Sequence, residues 1–323
     1  MIKLIPLLKQ ILLEGGNVFG STAPIKREDI DPTLDKFSAE LGRIFPAKAK
    51  TFTTFQTLGS VGKKPQSGDI DLGYDVKYLF PDGETPDFKG WNVDKAQFEE
   101  RVAAIAKRAR TATPAQNQLR AMIEMIGAQI NEKSDIIQVD LKQAGGGAIF
   151  CETGQYNDKG EELGKTVQTD INIGNLDWLK FSYYSSTYQG NVKGLHRTQL
   201  LVALFGYKGY TFRHGQGVIN KDTREVEAKT PQEAIALLNK LYGTKITPDI
   251  LEDYHKLMTY LGSSLSTQDV NGILDIYLKI LDSTRADIPS DIQDYWIKNQ
   301  DRLGLKGKFL PDDSELTKYK TEA

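Results

Sequence analysis

Apolar residues recur along this chain at two spacings, and the change between them outlines its elements. Ile30, Leu34, Phe37, Leu41 and Ile44 fall three or four apart, which predicts a helix over residues 29–44 with one buried stripe. Phe98, Val102 and Ile105 predict another over 94–110. Leu119, Met122, Ile123 and Ile126 predict a third over 114–131. Four β-prone runs are expected to be strands, at residues 51–58, 69–76, 134–142 and 165–173. The segments 15–24 and 81–90 read as loops, and a glycine-rich loop with the polar stretch 154–164 separates the last two strands.

From about residue 195 the pattern changes. A helix is expected over 196–205 and short strands with turns over 210–229. Helices with explicit start and stop residues follow. Thr230-Pro231-Gln232-Glu233 sets out a cap, a first-turn proline and a capping-box glutamate, and Gly243 ends that helix. Thr247-Pro248 is expected to open the next and Gly262 to close it, with further helices over 267–282 and 291–303. The tail from Lys306 is polar. At the other end, Ile2, Leu4, Ile5, Leu8, Ile11 and Leu12 fit an amphipathic docking helix. That reading is preferred to a signal sequence, because Gln10 and Glu14 interrupt the block and no small-residue cleavage site follows. The expected class is α+β. A mixed sheet flanked by helices occupies residues 1–190, and a mainly helical domain occupies 191–323.

Composition removes several functions. The net charge of −2 gives the whole chain no attraction for a polyanion, so nucleic acid would need a local patch. Cys151 is the single cysteine, which excludes an intramolecular disulfide and a cysteine-based zinc site and suits a reducing cytoplasm. No apolar run reaches membrane-spanning length, so no membrane partner is expected. His196, His214 and His255 share no metal-ligand spacing. Lys107, Arg108 and Arg110 form a basic helix end, the usual place for such charges.

The chemistry concentrates in Leu58-Gly59-Ser60, followed after a short gap by Asp69-Ile70-Asp71-Leu72. On a strand, alternate side chains share a face, so Asp69 and Asp71 point one way while Ile70 and Leu72 point the other. Two carboxylates so close repel unless a positive charge lies between them. A hard divalent cation meets that need, and Mg²⁺ leaves room for substrate phosphates. A Gly-Ser turn offers backbone N–H groups that approach a phosphate closely.

This pattern resembles the signature of the DNA polymerase β-like nucleotidyltransferase superfamily: an apolar residue, Gly, Gly or Ser, a gap, then Asp-apolar-Asp/Glu-apolar. The resemblance implies two Mg²⁺ ions, or Mn²⁺, on Asp69 and Asp71, with Gly59 and Ser60 on the triphosphate. It also implies a third carboxylate on a neighbouring strand. Asp170, in Gln168-Thr169-Asp170-Ile171-Asn172-Ile173, is preferred, and Asp140, in Val139-Asp140-Leu141, is the alternative. The run from Val167 to Ser185 also resembles predicted nucleotidyltransferases of tailed phages, which would place the protein in a host cytoplasm. Lys63, Lys64, Lys180 and Arg197 are candidates to meet the triphosphate, and Tyr183 and Tyr184 to stack on a base. The implied reaction moves a nucleoside monophosphate from an NTP, taken as ATP, to a hydroxyl or phosphate acceptor and releases pyrophosphate. An RNA end, a protein side chain and a small molecule all remain open as acceptors. The alternatives are a nucleotide-binding or regulatory protein of the same fold without turnover, and an assembly factor in which the motif is accidental.

Overall fold

A computed structural model describes residues 19–109, 112–142, 147–184, 194–284 and 286–305. The expected N-terminal docking helix and the polar tail lie outside these residues, as does Arg110. The chain divides into two compact units between Lys180 and Phe181.

The first unit is mixed α/β. Its five-stranded sheet has the order β2-β4-β7-β6-β5, formed by Gln56–Thr57 (β2), Asp69–Asp75 (β4), Glu162–Gly174 (β7), Ala148–Tyr156 (β6) and Ile137–Val139 (β5). β4 and β7 run parallel, and the other neighbours are antiparallel. A separate ribbon pairs Ile25–Lys26 (β1) with Gln66–Ser67 (β3). Helices Arg27–Ile44 (α1) and Pro114–Lys133 (α4) pack on the sheet, and Lys95–Arg108 (α3) packs on α4.

Alternation decides which side chains enter this core. Ile70 and Leu72 of β4 are fully buried, with Ile171 and Ile173 of β7 and Ile149 and Cys151 of β6. They join Phe37 and Leu41 of α1 and Met122, Ile126 and Ile130 of α4 in one cluster. Asp69 and Asp71 therefore take the opposite face of β4. Asp94 caps α3, and a Thr113–Gln116 capping box opens α4.

Three expectations give way. The run 51–58 is not one strand. A 3-10 turn, Pro46–Lys48, leads into the helical turn Ala49–Phe52 (α2), and only Gln56–Thr57 is extended. The hydroxyls of Thr51 and Thr54 bond to carbonyls three residues back, which holds the chain coiled. Phe52 and Phe55 then join Phe45, Tyr74 and Trp91 in an aromatic cluster, with Phe45 and Trp91 5.1 Å apart. Second, residues 148–156 form a nine-residue strand where a loop was expected. Asn157 turns the chain by accepting from the N–H groups of Lys159 and Glu161, so β6 pairs with β7 as a hairpin. Third, β5 is confined to Ile137–Val139, and Asp140 lies just past its end.

The second unit is mainly helical. Gly194–Tyr207 (α6) buries Leu200, Leu201, Ala203, Leu204 and Phe205, and before them the polar run His196 to Gln199. It packs against Thr267–Thr284 (α10). A three-stranded antiparallel sheet, Val226–Ala228 (β10), Gly217–Asn220 (β9) and Tyr210–Arg213 (β8), follows α6 in sequence. Pro231–Tyr242 (α7) has the anticipated Thr230–Glu233 capping box and a left-handed Gly243 at its end. The next helix is broken in two, Pro248–Glu252 (α8) and Tyr254–Ser264 (α9), and Gly262 lies inside α9. Asp253 is the cause, because its carboxylate caps α9 by accepting from Lys256 N–H. Gln293–Leu303 (α11) follows a 3-10 turn, Ser290–Ile292.

Candidate functional site: an acid row on the first-unit sheet

The parallel register of β4 and β7 sets Asp71 opposite Asp170 and Asp69 opposite Gln168. Paired residues share a face, and neighbouring strands lie about 4.8 Å apart. Asp71 and Asp170 are therefore adjacent on one rung, with Asp69 two residues along the same face. β6 continues the rung with Phe150 opposite Asp170. Asp140 N–H donates to Phe150 O, so Asp140 lies two strands from Asp170. Of the two candidate third acids, Asp170 is the neighbour of Asp71.

Two amides hold this row. Gln168 Nε2 donates to both carboxylate oxygens of Asp170, at 3.1 and 3.0 Å. Asn172 Nδ2 donates to Asp71 Oδ1 at 3.2 Å. The sequence reasoning gave neither residue a role. The signal was the period-two polar series Gln168, Asp170, Asn172 inside an apolar strand.

Electrostatics follow from crowding and burial. Burial raises the Asp69 carboxyl above its usual range. Burial, then the charge of Asp69, pushes Asp71 up to about 7, against the lowering bond from Asn172. Burial likewise carries Asp170 up to about 8, opposed by Gln168 and aided by the charges of Asp71 and Asp69. Among the described residues, no cationic side chain is a cause of lowering for any of the three.

The Gly-Ser turn borders the row. Leu58 N–H donates to Asp71 O, so the chain leaves the sheet beside Asp71. Gly59 has φ of 61° and Gly62 of 70°, left-handed conformations that favour glycine. Lys63 is exposed on this turn, and desolvation lowers its ammonium pKa. Behind the turn, a Cβ on Gly73 would meet Leu58 Cδ2 at 3.3 Å and Leu176 Cδ2 at 3.2 Å, so glycine allows that close packing.

The remaining candidates are carried by other elements. Lys180 is exposed near the end of Leu176–Ser182 (α5). Arg197 belongs to the second unit, is 2% exposed, and donates to Leu251 O and Phe181 O. Its present contacts thus serve its own unit, and burial pushes its pKa down to about 10. Tyr183 packs in a tilted ring contact on His214 with centroids 4.3 Å apart, and Tyr184 lies under the Arg197 guanidinium. Burial, then the Arg197 charge, lowers His214 to about 4. His196 is buried with its Nδ1 3.0 Å from the Tyr277 hydroxyl.

Among the described residues, no three His, Cys, Asp or Glu side chains converge tightly enough to grip an ion as they stand. The donor set of the acid row still suits a hard divalent cation, because it offers three carboxylates with no cationic partner among the described residues. No family model and no curated protein matches the chain. Among the described residues, no helix is long and apolar enough to cross a membrane.

Proposed function

We propose that the first unit is a metal-dependent nucleotidyltransferase of the polymerase β-like fold, moving a nucleoside monophosphate from an NTP to a hydroxyl or phosphate acceptor. The observation that carries this reading is the rung pairing Asp71 with Asp170 beside the Gly59–Ser60 turn. Asp69 and Asp71 would hold two Mg²⁺ or Mn²⁺ ions, with Asp170 completing one site; the ions supply charge neutralisation and polarise the phosphoryl oxygens. Gly59 and Ser60 present backbone N–H groups and a hydroxyl to the triphosphate. Asp170, positioned by Gln168, takes the proton of the attacking hydroxyl. Lys63 adds a cation at the mouth of the turn. ATP is the working donor and RNA one acceptor to be tried.

A specific observation favours a second reading. Asp170 is only 7% exposed and already accepts from Gln168 at both oxygens. A carboxylate so held suits a nucleotide-binding protein without turnover. Pyrophosphate release from each of the four NTPs with Mg²⁺, with and without RNA, separates the two. Release that disappears in the Asp69→Asn/Asp71→Asn double variant supports the enzyme. Thermal stabilisation by an NTP with Mg²⁺ but no release supports the binding protein.

A further inference from the structure

The second unit buries a positive charge near the start of α6. Arg197 is 2% exposed, and its Nε and Nη1 donate to two carbonyls, Leu251 O and Phe181 O, each at 2.6 Å. Its Nη2 is sealed from solvent and, among the described residues, bonds to nothing. No carboxylate among them pairs with the guanidinium, and Glu252 acts on it only through space. His214, just past β8, shares the deficiency, because its Nδ1 is also sealed and without a partner.

Four consecutive residues bring the two side chains into one cluster. Phe181 O takes the Arg197 bond, and the Ser182 hydroxyl donates to His214 O at 3.5 Å. Tyr183 packs on the His214 ring, and the Tyr184 ring centre lies 5.7 Å from the Arg197 guanidinium. The Arg197 charge reaches His214 and disfavours its protonation. A neutral imidazole still donates one N–H. A buried charge without a counter-ion is expensive, and so is a buried donor without an acceptor. What both groups lack is an acceptor that carries negative charge, and arginine N–H groups match the oxygens of phosphate.

We propose that Arg197 Nη2 and His214 Nδ1–H together bind the oxygens of a phosphate-type oxyanion, free or carried as a phosphomonoester. Tyr183, Tyr184 and His214 are each half-buried, so rotation of a tyrosine admits the anion, which then serves as the counter-ion of Arg197. The exposed Arg213 favours its approach, and Glu252 opposes it. All these residues belong to the second unit, and the site does not depend on the assignment of the acid row.

Histidine NMR on the full chain tests this, with inorganic phosphate or AMP added in the presence of EDTA. Without metal the acid row offers a phosphate only like charge. Saturable movement of the His214 ring signals by phosphate below about 10 mM is expected, with the exposed His255 unmoved. Tighter binding of AMP identifies a phosphomonoester, and equal affinity identifies the free anion. His214→Phe keeps a ring against Tyr183 and removes the donor; calorimetry should show binding about tenfold weaker, the loss of a charged hydrogen bond. Arg197→Met should abolish binding. If that variant does not fold, the wild type and His214→Phe decide the matter. No saturable movement of His214 with either ligand, or affinity unchanged by His214→Phe, would overturn the assignment.

Discussion

Gln168 gives one amide nitrogen to both carboxylate oxygens of Asp170, and the two residues share one face of β7. This bond holds Asp170 in one orientation beside Asp71 and opposes the rise that burial imposes on its pKa. Gln168→Leu removes the donor while keeping the bulk. The Asp170 carboxyl should then titrate at higher pH than in wild type, as followed by ¹³C NMR of labelled aspartate. A lower value would mean that the amide does not stabilise the charged form.

Asp71→Ala should abolish NTP-dependent pyrophosphate release, by about 10³-fold or more if the carboxylate holds the phosphate-bridging cation. The fold should survive, because Asp71 is on the face opposite Ile70 and Leu72 and contributes nothing to the apolar core. Circular dichroism and melting, run beside the release assay, check both halves. Full turnover in this variant would remove the enzymatic reading.

The acid row makes stability depend on pH. In the folded protein Asp71 titrates at about 7 and Asp170 at about 8, whereas unfolded aspartate titrates near 3.9. Between those values the folded state holds more protons than the unfolded one. Stability from these groups is therefore full below about pH 4 and falls as the pH rises toward 8. His214 acts in the opposite sense at the acid end, because its folded value of about 4 makes acidification below pH 6.5 destabilising. The quantity to read is the difference in melting temperature between wild type and Asp71→Asn/Asp170→Asn, without metal. It should grow in favour of the variant from pH 5 to pH 8.5, and Mg²⁺ should raise the wild-type value more at the higher pH.

Gly73→Ala tests the packing that seats the Gly-Ser turn. Its Cβ would press on Leu58 and Leu176, so a loss of about 1–3 kcal/mol in denaturant unfolding is expected. Thr230→Ala, in the second unit, removes the cap of α7 and should cost about 1 kcal/mol.

The legible parts of the fold were those written in local chemistry. The α1 stripe from Ile30 to Ile44 and the Thr230–Glu233 capping box are decided by residues a turn apart. The alternation around Ile70 and Leu72 likewise assigned the faces of β4 before any partner strand was known. What escaped was decided by distant partners. Thr51 to Leu58 has strand composition, but Phe52 and Phe55 reach their ring neighbours Tyr74 and Trp91 only when the backbone coils. β6 was hidden because the glycines before it and the turn residues after it read as one long loop. The choice between Asp170 and Asp140 depended on sheet order, which neither local frame encodes. Gln168 and Asn172 were visible as alternating polar residues, but their roles require the register with β4.

Asn172 and Asp71 touch across 101 residues of sequence, because β4 and β7 are parallel neighbours joined by a long excursion through two helices and two strands. Closing so long a loop costs entropy that only the finished sheet repays. The acid row can form only when β7 docks on β4. Any cation bound there would therefore report the fully folded first unit and none of its fragments, and its dissociation would track cooperative unfolding, not the fraying of one element.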